Sequence, residues 1–417
     1  MDNIINKLIP FIQDKKILVA CSTGVDSTVL LDLVFKASKN KTQIVVVHIN
    51  HGRRKASDIE EAYLKDFCQK NNLTFYSKKL PKTYTGNFQE WARKKRYKFF
   101  LEIAKLECVD IIMTAHHGDD NLETILMRII KISSFKGYGG MEEISSFHGY
   151  MLYRPLLYLD KGQIIAYAKS QNLIYFEDSS NFEDDYLRNR IRKYVIPALK
   201  EENPSLMKAI EIYSETIFDA EAIIQDKVNS FIKEVVQVNN NISQLTINSL
   251  LSLNSFMQMQ VLFELLKPYQ LSRSNLCEII KQIKATKSRI INLITPELLM
   301  IKEYGNLIFT KPIENNDFYL KIDQMGTYQL PNGIILEVSK NICNFKARNH
   351  GLCYNIQALP IIIRSRIRGD RIQLRNGSKT VSDYLTDKKI PYLKRQKVLL
   401  LCDENNKVLE ILEPLSE

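Results

Sequence analysis

The sequence has no run of the roughly 20 apolar residues that a membrane-spanning helix needs. Its start, Met1-Asp2-Asn3-Ile4-Ile5-Asn6-Lys7, has no basic stretch leading into an apolar one. A membrane-spanning or secreted chain is thereby excluded, and a soluble cytoplasmic protein is expected. The seven cysteines (Cys21, Cys68, Cys108, Cys277, Cys343, Cys353, Cys402) are scattered, with no C-x-x-C pair and no accompanying histidine ladder. They read as reduced and structural, Cys21 as a small buried hydrophobe at a strand end. Neither the metalloprotease pattern H-E-x-x-H nor the Walker pattern G-x-x-x-x-G-K-[ST] occurs. Internal repeats and low-complexity tracts are also missing, which argues against a solenoid and against disorder.

What is present is ordinary globular composition: 417 residues, 45% hydrophobic and 25% charged, enough for two or three domains with separate cores. The net charge of +11 favours either a polyanionic partner or simply a soluble basic surface.

Short β-branched runs at 17–20, 43–49, 74–79, 110–115 and 151–154 alternate with segments of helical apolar spacing at 28–37, 59–71, 90–106 and 122–132. This alternation predicts a doubly wound α/β domain over 1–205, with chemistry just beyond the carboxyl ends of its strands. Past Pro197 and Pro204 a long amphipathic helix is expected over 206–236, closed by the polar stretch 237–241. It opens a mostly helical domain over 206–315, with helices at 256–266 and 275–285 and a hairpin turning at Tyr304-Gly305-Asn306. A small α+β domain follows over 316–417.

Ser22-Thr23-Gly24-Val25-Asp26-Ser27 follows the first strand. Backbone N–H groups of such a turn at a helix start can face an anion, and a carboxylate among phosphates makes most sense as a Mg²⁺ ligand. A plain serine-capped turn is the simpler alternative. His48-Ile49-Asn50-His51-Gly52 follows the second strand, and Thr114-Ala115-His116-His117-Gly118-Asp119-Asp120-Asn121-Leu122-Glu123 the fourth. Asp120 and Glu123, three apart at a helix start, share one face and can bind Mg²⁺ or take a proton. Taken alone, acids placed for the helix dipole are the better reading of the pair, and the two other polar clusters on the same rim reverse that order. His116 and His117 read as hydrogen-bond donors to phosphate or as residues that orient the loop, not as zinc ligands.

The loop resembles the S-G-G-x-D-S signature of the PP-loop ATP pyrophosphatases. The ordered series Asn50-His51-Gly52-Arg53-Arg54, Trp91-Ala92-Arg93-Lys94-Lys95-Arg96-Tyr97, Lys136-Gly137-Tyr138-Gly139-Gly140-Met141, Arg154-Pro155-Leu156-Leu157, Asp178-Ser179-Ser180-Asn181 and Arg188-Asn189-Arg190-Ile191-Arg192 is similar to the tRNA(Ile)-lysidine synthetase family over nearly the whole chain. The tail Arg364-Ser365-Arg366-Ile367-Arg368-Gly369-Asp370-Arg371, with Lys389-Ile390-Pro391 and Arg395, resembles that family's C-terminal tRNA-contacting domain. The resemblance implies a ligase that joins free L-lysine to the wobble cytidine of an isoleucine tRNA with a CAU anticodon, using ATP and Mg²⁺. It further implies catalytic roles for Asp26, Asp120, Glu123 and Arg188, and an ATP site of Ser22, Thr23, Gly24, Val25, Asp26, Ser27 and His51. Mg²⁺ falls to Asp26 and Asp120, and tRNA contacts to Arg93, Arg96, Arg192, Arg366, Arg368, Arg371 and Arg395. Solvated helix faces are the alternative reading of these arginines, and a homodimer stays open. Two departures stand out. Thr23 replaces the first glycine of the loop, which predicts backbone angles open to a β-branched residue, and the C-terminus lacks the aromatic and glycine ending of the family.

Overall fold

The computed structural model describes all residues except 51, 53–55, 82–87, 132, 177–186, 240–241, 314–316, 340–343, 348–351, 356–358, 375–376 and 414–417. His51 and the stretch 178–181 lie outside the described residues. The chain divides into two compact units, Met1–Ile223 and Ile224–Glu417.

The first unit opens with α1 (Asp2–Ile12), β1 (Ile17–Ala20), α2 (Val25–Ala37), β2 (Ile44–Asn50), α3 (Ala56–Lys70) and β3 (Thr74–Lys79). It continues through α4 (Phe88–Leu106), β4 (Ile111–Met113), α5 (Gly118–Lys131), α6 (Phe135–Tyr138), β5 (Ile144–Phe147), β6 (Tyr150–Tyr153) and α7 (Lys161–Ser170). Then come α8 (Leu187–Arg190), one π-helical turn (Ile191–Val195), α9 (Ile196–Glu202) and the start of α10 (Leu206–Val235). The strands form one sheet in the order β3-β2-β1-β4-β6-β5. All neighbours are parallel except the edge hairpin of β5 and β6.

The near-continuous apolar runs of β1 and β2 follow from burial on both faces. Alternate residues divide between two cores. Ile17, Val19, Ile44, Val46, Ile111 and Met113 pack against α1, α2, α3 and α7, whereas Leu18, Val45, Val47, Ile112 and Leu152 pack against Phe99, Phe100 and Ile103 of α4. Each large side chain so buried contributes about 1.5–3 kcal/mol. From β1 the chain winds outward to β2 and β3, then returns past β1 to β4 and β6. The carboxyl ends of β1 and β4 therefore flank the switch point where such sheets bind ligands. Alternation of strands and helices made this domain readable in advance. The helix α1, held by buried Leu8 and Ile12, lies outside the segments expected from the sequence.

The second unit holds β7 (Gln237–Asn239), β8 (Ile242–Thr246), α11 (Ile247–Leu251), α12 (Ser255–Leu265), α13 (Arg273–Lys284), β9 (Ile290–Thr295), β10 (Leu298–Glu303) and β11 (Asn306–Thr310). Alongside its helices runs a five-stranded sheet, β7-β8-β11-β10-β9, whose β10–β11 hairpin turns at Tyr304 and Gly305 as expected. The polar stretch expected only to end a helix supplies β7, an exposed edge strand held by its antiparallel partner β8 rather than by an apolar pattern of its own. Past residue 316 follow β12 (Tyr319–Ile322), β13 (Gly326–Gln329), β14 (Ile335–Ser339), β15 (Asn344–Ala347), β16 (Leu352–Asn355), β17 (Ile361–Ser365), β18 (Arg371–Leu374) and β19 (Gly377–Thr380). The last elements are α14 (Val381–Asp387), α15 (Tyr392–Gln396), β20 (Leu399–Cys402) and β21 (Val408–Leu412). They build a six-stranded sheet and a separate four-stranded meander of β13 to β16. Among the described residues no helix is long and apolar enough to cross a membrane.

Gly118 opens α5, and its N–H donates to the Leu159 carbonyl at 2.7 Å. A Cβ there would lie 2.9 Å from that same carbonyl oxygen and 2.7 Å from Met207 Sδ. Gly118→Ala is therefore expected to displace the start of α5 and cost about 1–3 kcal/mol, read as a lowered melting temperature.

Candidate active site

At the carboxyl end of β1 the chain turns through residues 22–27 into α2. The Ser27 hydroxyl takes the bend from inside: it accepts from the Ser22 N–H (3.0 Å), donates to the Gly24 carbonyl (3.0 Å) and lies 3.1 Å from Ser22 Oγ. Gly24 provides no side-chain cap, so the first N–H groups of α2 stay available to an anion. Cys21 is buried behind the loop, its thiol 3.7 Å from Ser27 Oγ, and burial pushes its pKa up. This is the structural role expected of it. His48, at the end of β2, shares a 2.9 Å hydrogen bond between Nδ1 and the Cys21 carbonyl, and its buried Nε2 has no partner.

Thr23 overturns the expectation about its backbone. Its φ is +68°, in the left-handed region that suits glycine and strains a β-branched residue. The surroundings hold it there. Thr23 Oγ1 donates to the Ser22 carbonyl and to Glu60 Oε2 (3.1 Å), while its carbonyl accepts from the Phe176 N–H (3.0 Å).

Asp26, in the first turn of α2, receives both short contacts of Lys161 Nζ, at 2.6 and 2.7 Å. Lys161 is the first residue of α7, whose start is fixed by a capping box between Asp160 and Gln163. Sequence reasoning missed Lys161. The available signal was positional, a cation at a helix start just past the carboxyl end of a strand.

On the β4 side, Asp120 and Glu123 do share one face of α5, and both meet Arg188 and Arg192. Arg188 Nε donates to Glu123 Oε2 (2.5 Å) and its Nη2 to Asp120 Oδ1 (3.0 Å); Arg192 repeats the pattern on Glu123 Oε1 and Asp120 Oδ1. The two arginines stand four apart across the junction of α8 with the π-helical turn, so one stretch of chain presents both forks. Arg192, expected to touch tRNA, thus joins the acid pair. The two acids differ: Glu123 has no exposure and both its oxygens are engaged, whereas Asp120 turns Oδ2 toward His117 Nε2 at 3.5 Å. The same His117 nitrogen is 3.9 Å from Asp26 Oδ1, so one imidazole stands between the loop carboxylate and the helix carboxylate. Its buried Nδ1 has no partner.

Burial alone would raise the Asp120 pKa, but His117, Arg188, His116 and Arg192 together outweigh it and hold the group down at about 2. His116 is pushed down to about 3, chiefly by burial, with Arg154, Arg93 and Arg188 adding to the effect against Asp120. It is neutral at physiological pH.

The remaining arginines separate. Arg93 is exposed, its guanidinium 4.8 Å above the Tyr97 ring, and Arg96 is half-buried on the same helix, α4. In the second unit Arg366 is half-buried, Arg368 is exposed, and Arg371 is exposed while bonding Ser378 at 2.9 Å. Arg395 corrects the expectation of a tRNA contact. It is 2% exposed, and its guanidinium donates to the Ile390 carbonyl (2.6 Å), Thr386 Oγ1 (2.8 Å) and Tyr304 Oη (2.8 Å), leaving no surface for RNA. Arg364 is likewise internal, paired with Asp370 at 2.7 Å.

Thr23→Val keeps the strained angle but loses the hydroxyl, and should destabilise the protein by about 1–2 kcal/mol in urea melts. Thr23→Gly, which removes the strain together with the hydroxyl, should fall within about 1 kcal/mol of the parent. The Asp120 pKa of about 2 lies below the ordinary 3.8, so the ionised carboxylate stabilises the fold above about pH 4 and that contribution is lost as the pH falls through about 2. Acid titration of stability should therefore show about 2 kcal/mol more loss across that window in the parent than in Asp120→Asn.

A PP-loop domain model matches residues 1–199. Among solved structures, the U34-tRNA thiolase NcsA from Methanococcus maripaludis aligns with a TM-score of 0.44 and 16% identity over 52% of this chain and 78% of its own. A tRNA(Ile)-lysidine synthase from Staphylococcus aureus (strain COL) is 30% identical over 419 residues, covering 95% of this chain and 93% of that protein. Another, from Enterococcus faecalis (strain ATCC 700802 / V583), is 30% identical over 416 residues, covering 94% and 89%. With a PP-loop ATP-binding domain at its start and this identity along nearly the full length of both chains, the protein belongs to the tRNA(Ile)-lysidine synthase family.

Proposed function

We propose that the protein ligates L-lysine to C2 of the wobble cytidine in the CAU anticodon of isoleucine tRNA, giving lysidine and changing the codon read from AUG to AUA. The observation that carries this reading is the meeting, at one sheet edge, of an anion-ready loop with a carboxylate pair held by two arginines. Its relatives' names supply the substrate class.

The chemistry accounts for both halves. The C2 oxygen of cytidine is a poor leaving group, and transfer of AMP from ATP makes it a good one, releasing pyrophosphate. The ε-amine of lysine then attacks C2, and AMP departs with the oxygen. Loop residues Ser22, Thr23, Gly24, Val25 and Ser27 bind the pyrophosphate through N–H groups and hydroxyls. Asp26 and Asp120 would hold Mg²⁺, since that ion favours one or two carboxylates together with phosphate oxygens. When bound, the ion offsets charge on the α-phosphate and the leaving pyrophosphate. Lys161 neutralises Asp26 and is displaced or shared as the nucleotide enters.

A lysine amine with an ordinary pKa near ~10.4 must lose a proton to attack. Asp120, held near 2, is a weak base that relays the ammonium's proton onward to solvent rather than keeping it. Glu123, saturated by Arg188 and Arg192, acts through those guanidiniums by fixing them where charge develops at phosphorus. Arg93, Arg96, Arg366, Arg368 and Arg371 contact the RNA backbone, positioning the tRNA without reading its sequence. The division into 1–205, 206–315 and 316–417 is read as one catalytic and two tRNA-binding parts, acting in the cytoplasm.

Incubation of the protein with ATP, lysine and isoleucine tRNA, followed by mass spectrometry of the RNA, should give a lysine-sized gain on one cytidine. Asp26→Ala and Glu123→Gln should remain folded and lose at least about a hundredfold in rate. Full activity in either variant would sink these assignments, and absence of the mass gain with the parent would sink the reaction itself.

A further inference from the structure

Beside the acid pair, the carboxyl edge of β4 and β6 carries a second concentration of positive charge whose arginines make no ion pair among the described residues. Arg154 directly follows β6, whose Tyr153 is in register with Met113 and whose carbonyl accepts from the Thr114 N–H at 3.1 Å. Arg154 therefore stands next to Thr114, whose hydroxyl lies 2.9 Å from His116 Nδ1. Only 9% of Arg154 is exposed. Its Nη1 donates to the Glu142 carbonyl (2.7 Å) and Ser145 Oγ (3.0 Å), both neutral, and its buried Nε has no partner at all. The Glu142 carboxylate is taken by Lys136 at 3.0 Å.

A guanidinium in this state is expensive to bury, because a charge withdrawn from water needs both a counter-charge and filled hydrogen bonds. The neighbours add cations. Arg93 of α4 is close enough to act electrostatically on both Arg154 and His116, and Arg96 on the same helix lies near Arg93 and Arg188. Burial disfavours the charged forms of Arg154 and Arg96, and Arg93 adds to this in both cases. Among the described residues, none of these three arginines has an ion-pair partner, unlike Arg188 and Arg192. Three guanidiniums without an ion pair, near a neutral imidazole, describe a place for an oxygen anion, since guanidinium forks match phosphate and carboxylate oxygens.

We infer that Arg154, with Arg93 and Arg96, forms an oxyanion subsite for the substrates to be joined, separate from the pyrophosphate loop. It takes either a phosphodiester of the RNA strand next to the reacting nucleotide or the α-carboxylate of the amino acid. The assignment rests on the proposed reaction for the identity of these ligands. Arg154 is the anchor, because it directly follows strand β6 and is held by the Glu142 carbonyl and Ser145, whereas Arg93 and Arg96 stand on a helix.

Binding measured without turnover tests the subsite. A fluorescently labelled anticodon-arm RNA and free lysine, each with a non-hydrolysable ATP analogue present, are titrated against the parent, Arg154→Gln, Arg154→Lys and Arg93→Gln, with circular dichroism to check folding. Arg154→Gln should weaken one of the two ligands about tenfold or more, Arg154→Lys should recover part of the loss, and affinity for the ATP analogue should be unchanged. Weakened RNA binding assigns the phosphodiester, and weakened lysine binding assigns the carboxylate. A folded Arg154→Gln protein that binds both as the parent does overturns the inference, as does a loss confined to the ATP analogue. If Arg154→Gln fails to fold, exposed Arg93→Gln decides by the same criteria. A parent that binds these ligands normally yet transfers no lysine defeats the proposed reaction and leaves the subsite standing.

Discussion

Glu123 is a carboxylate with no contact with solvent, and much of the candidate site depends on how its charge is met. An isolated ion at that depth would cost several kcal/mol, so the fold must bring cations to it. It brings two, Arg188 and Arg192, each also touching Asp120, and this pins the chain after residue 186 to the first turns of α5. The π-helical turn that begins at Ile191 lies within this pinned stretch. A cluster of this kind is costly to break from one side, because removing either acid leaves two guanidiniums sharing one carboxylate. It also makes Asp120 and Glu123 unequal: one is sealed, the other keeps an oxygen toward His117 and the loop.

The loop uses the opposite strategy. The start of α2 has no side-chain cap, and the loop's conformation is imposed by small internal hydrogen bonds through Ser22 and Ser27. Thr23 is the exception. A β-branched residue at a φ of +68° stores strain, and the hydrogen bond to Glu60 of α3 together with the Phe176 N–H is what keeps it in place. Where glycine would reach this shape freely, here the loop depends on a neighbouring helix for the same outcome.

The arginines show how far charge can be interpreted without coordinates. A net charge of +11 marks a chain suited to a polyanion, yet arginines of similar appearance in the sequence have different fates. Arg364 and Arg395 stabilise the second unit from within, Arg192 serves the acid pair, and Arg93 and Arg368 remain at the surface. Arg154, present in the sequence only as part of a short motif, emerges as a buried cation with no ion pair among the described residues.

By itself the sequence determined the sheet-and-helix alternation, the loop after β1, the acid pair on one face of α5 and the hairpin at Tyr304, because each depends on residues close together in the chain. Periodicity, turn chemistry and three-residue spacing carry that information directly. Only the tertiary structure decided that Lys161 lies on Asp26, 135 residues away, that Arg188 and Arg192 share the acids of α5, and that Arg395 is internal. Those outcomes depend on which distant side chains can neutralise a charge withdrawn from water, and that is settled by burial and packing rather than by local pattern.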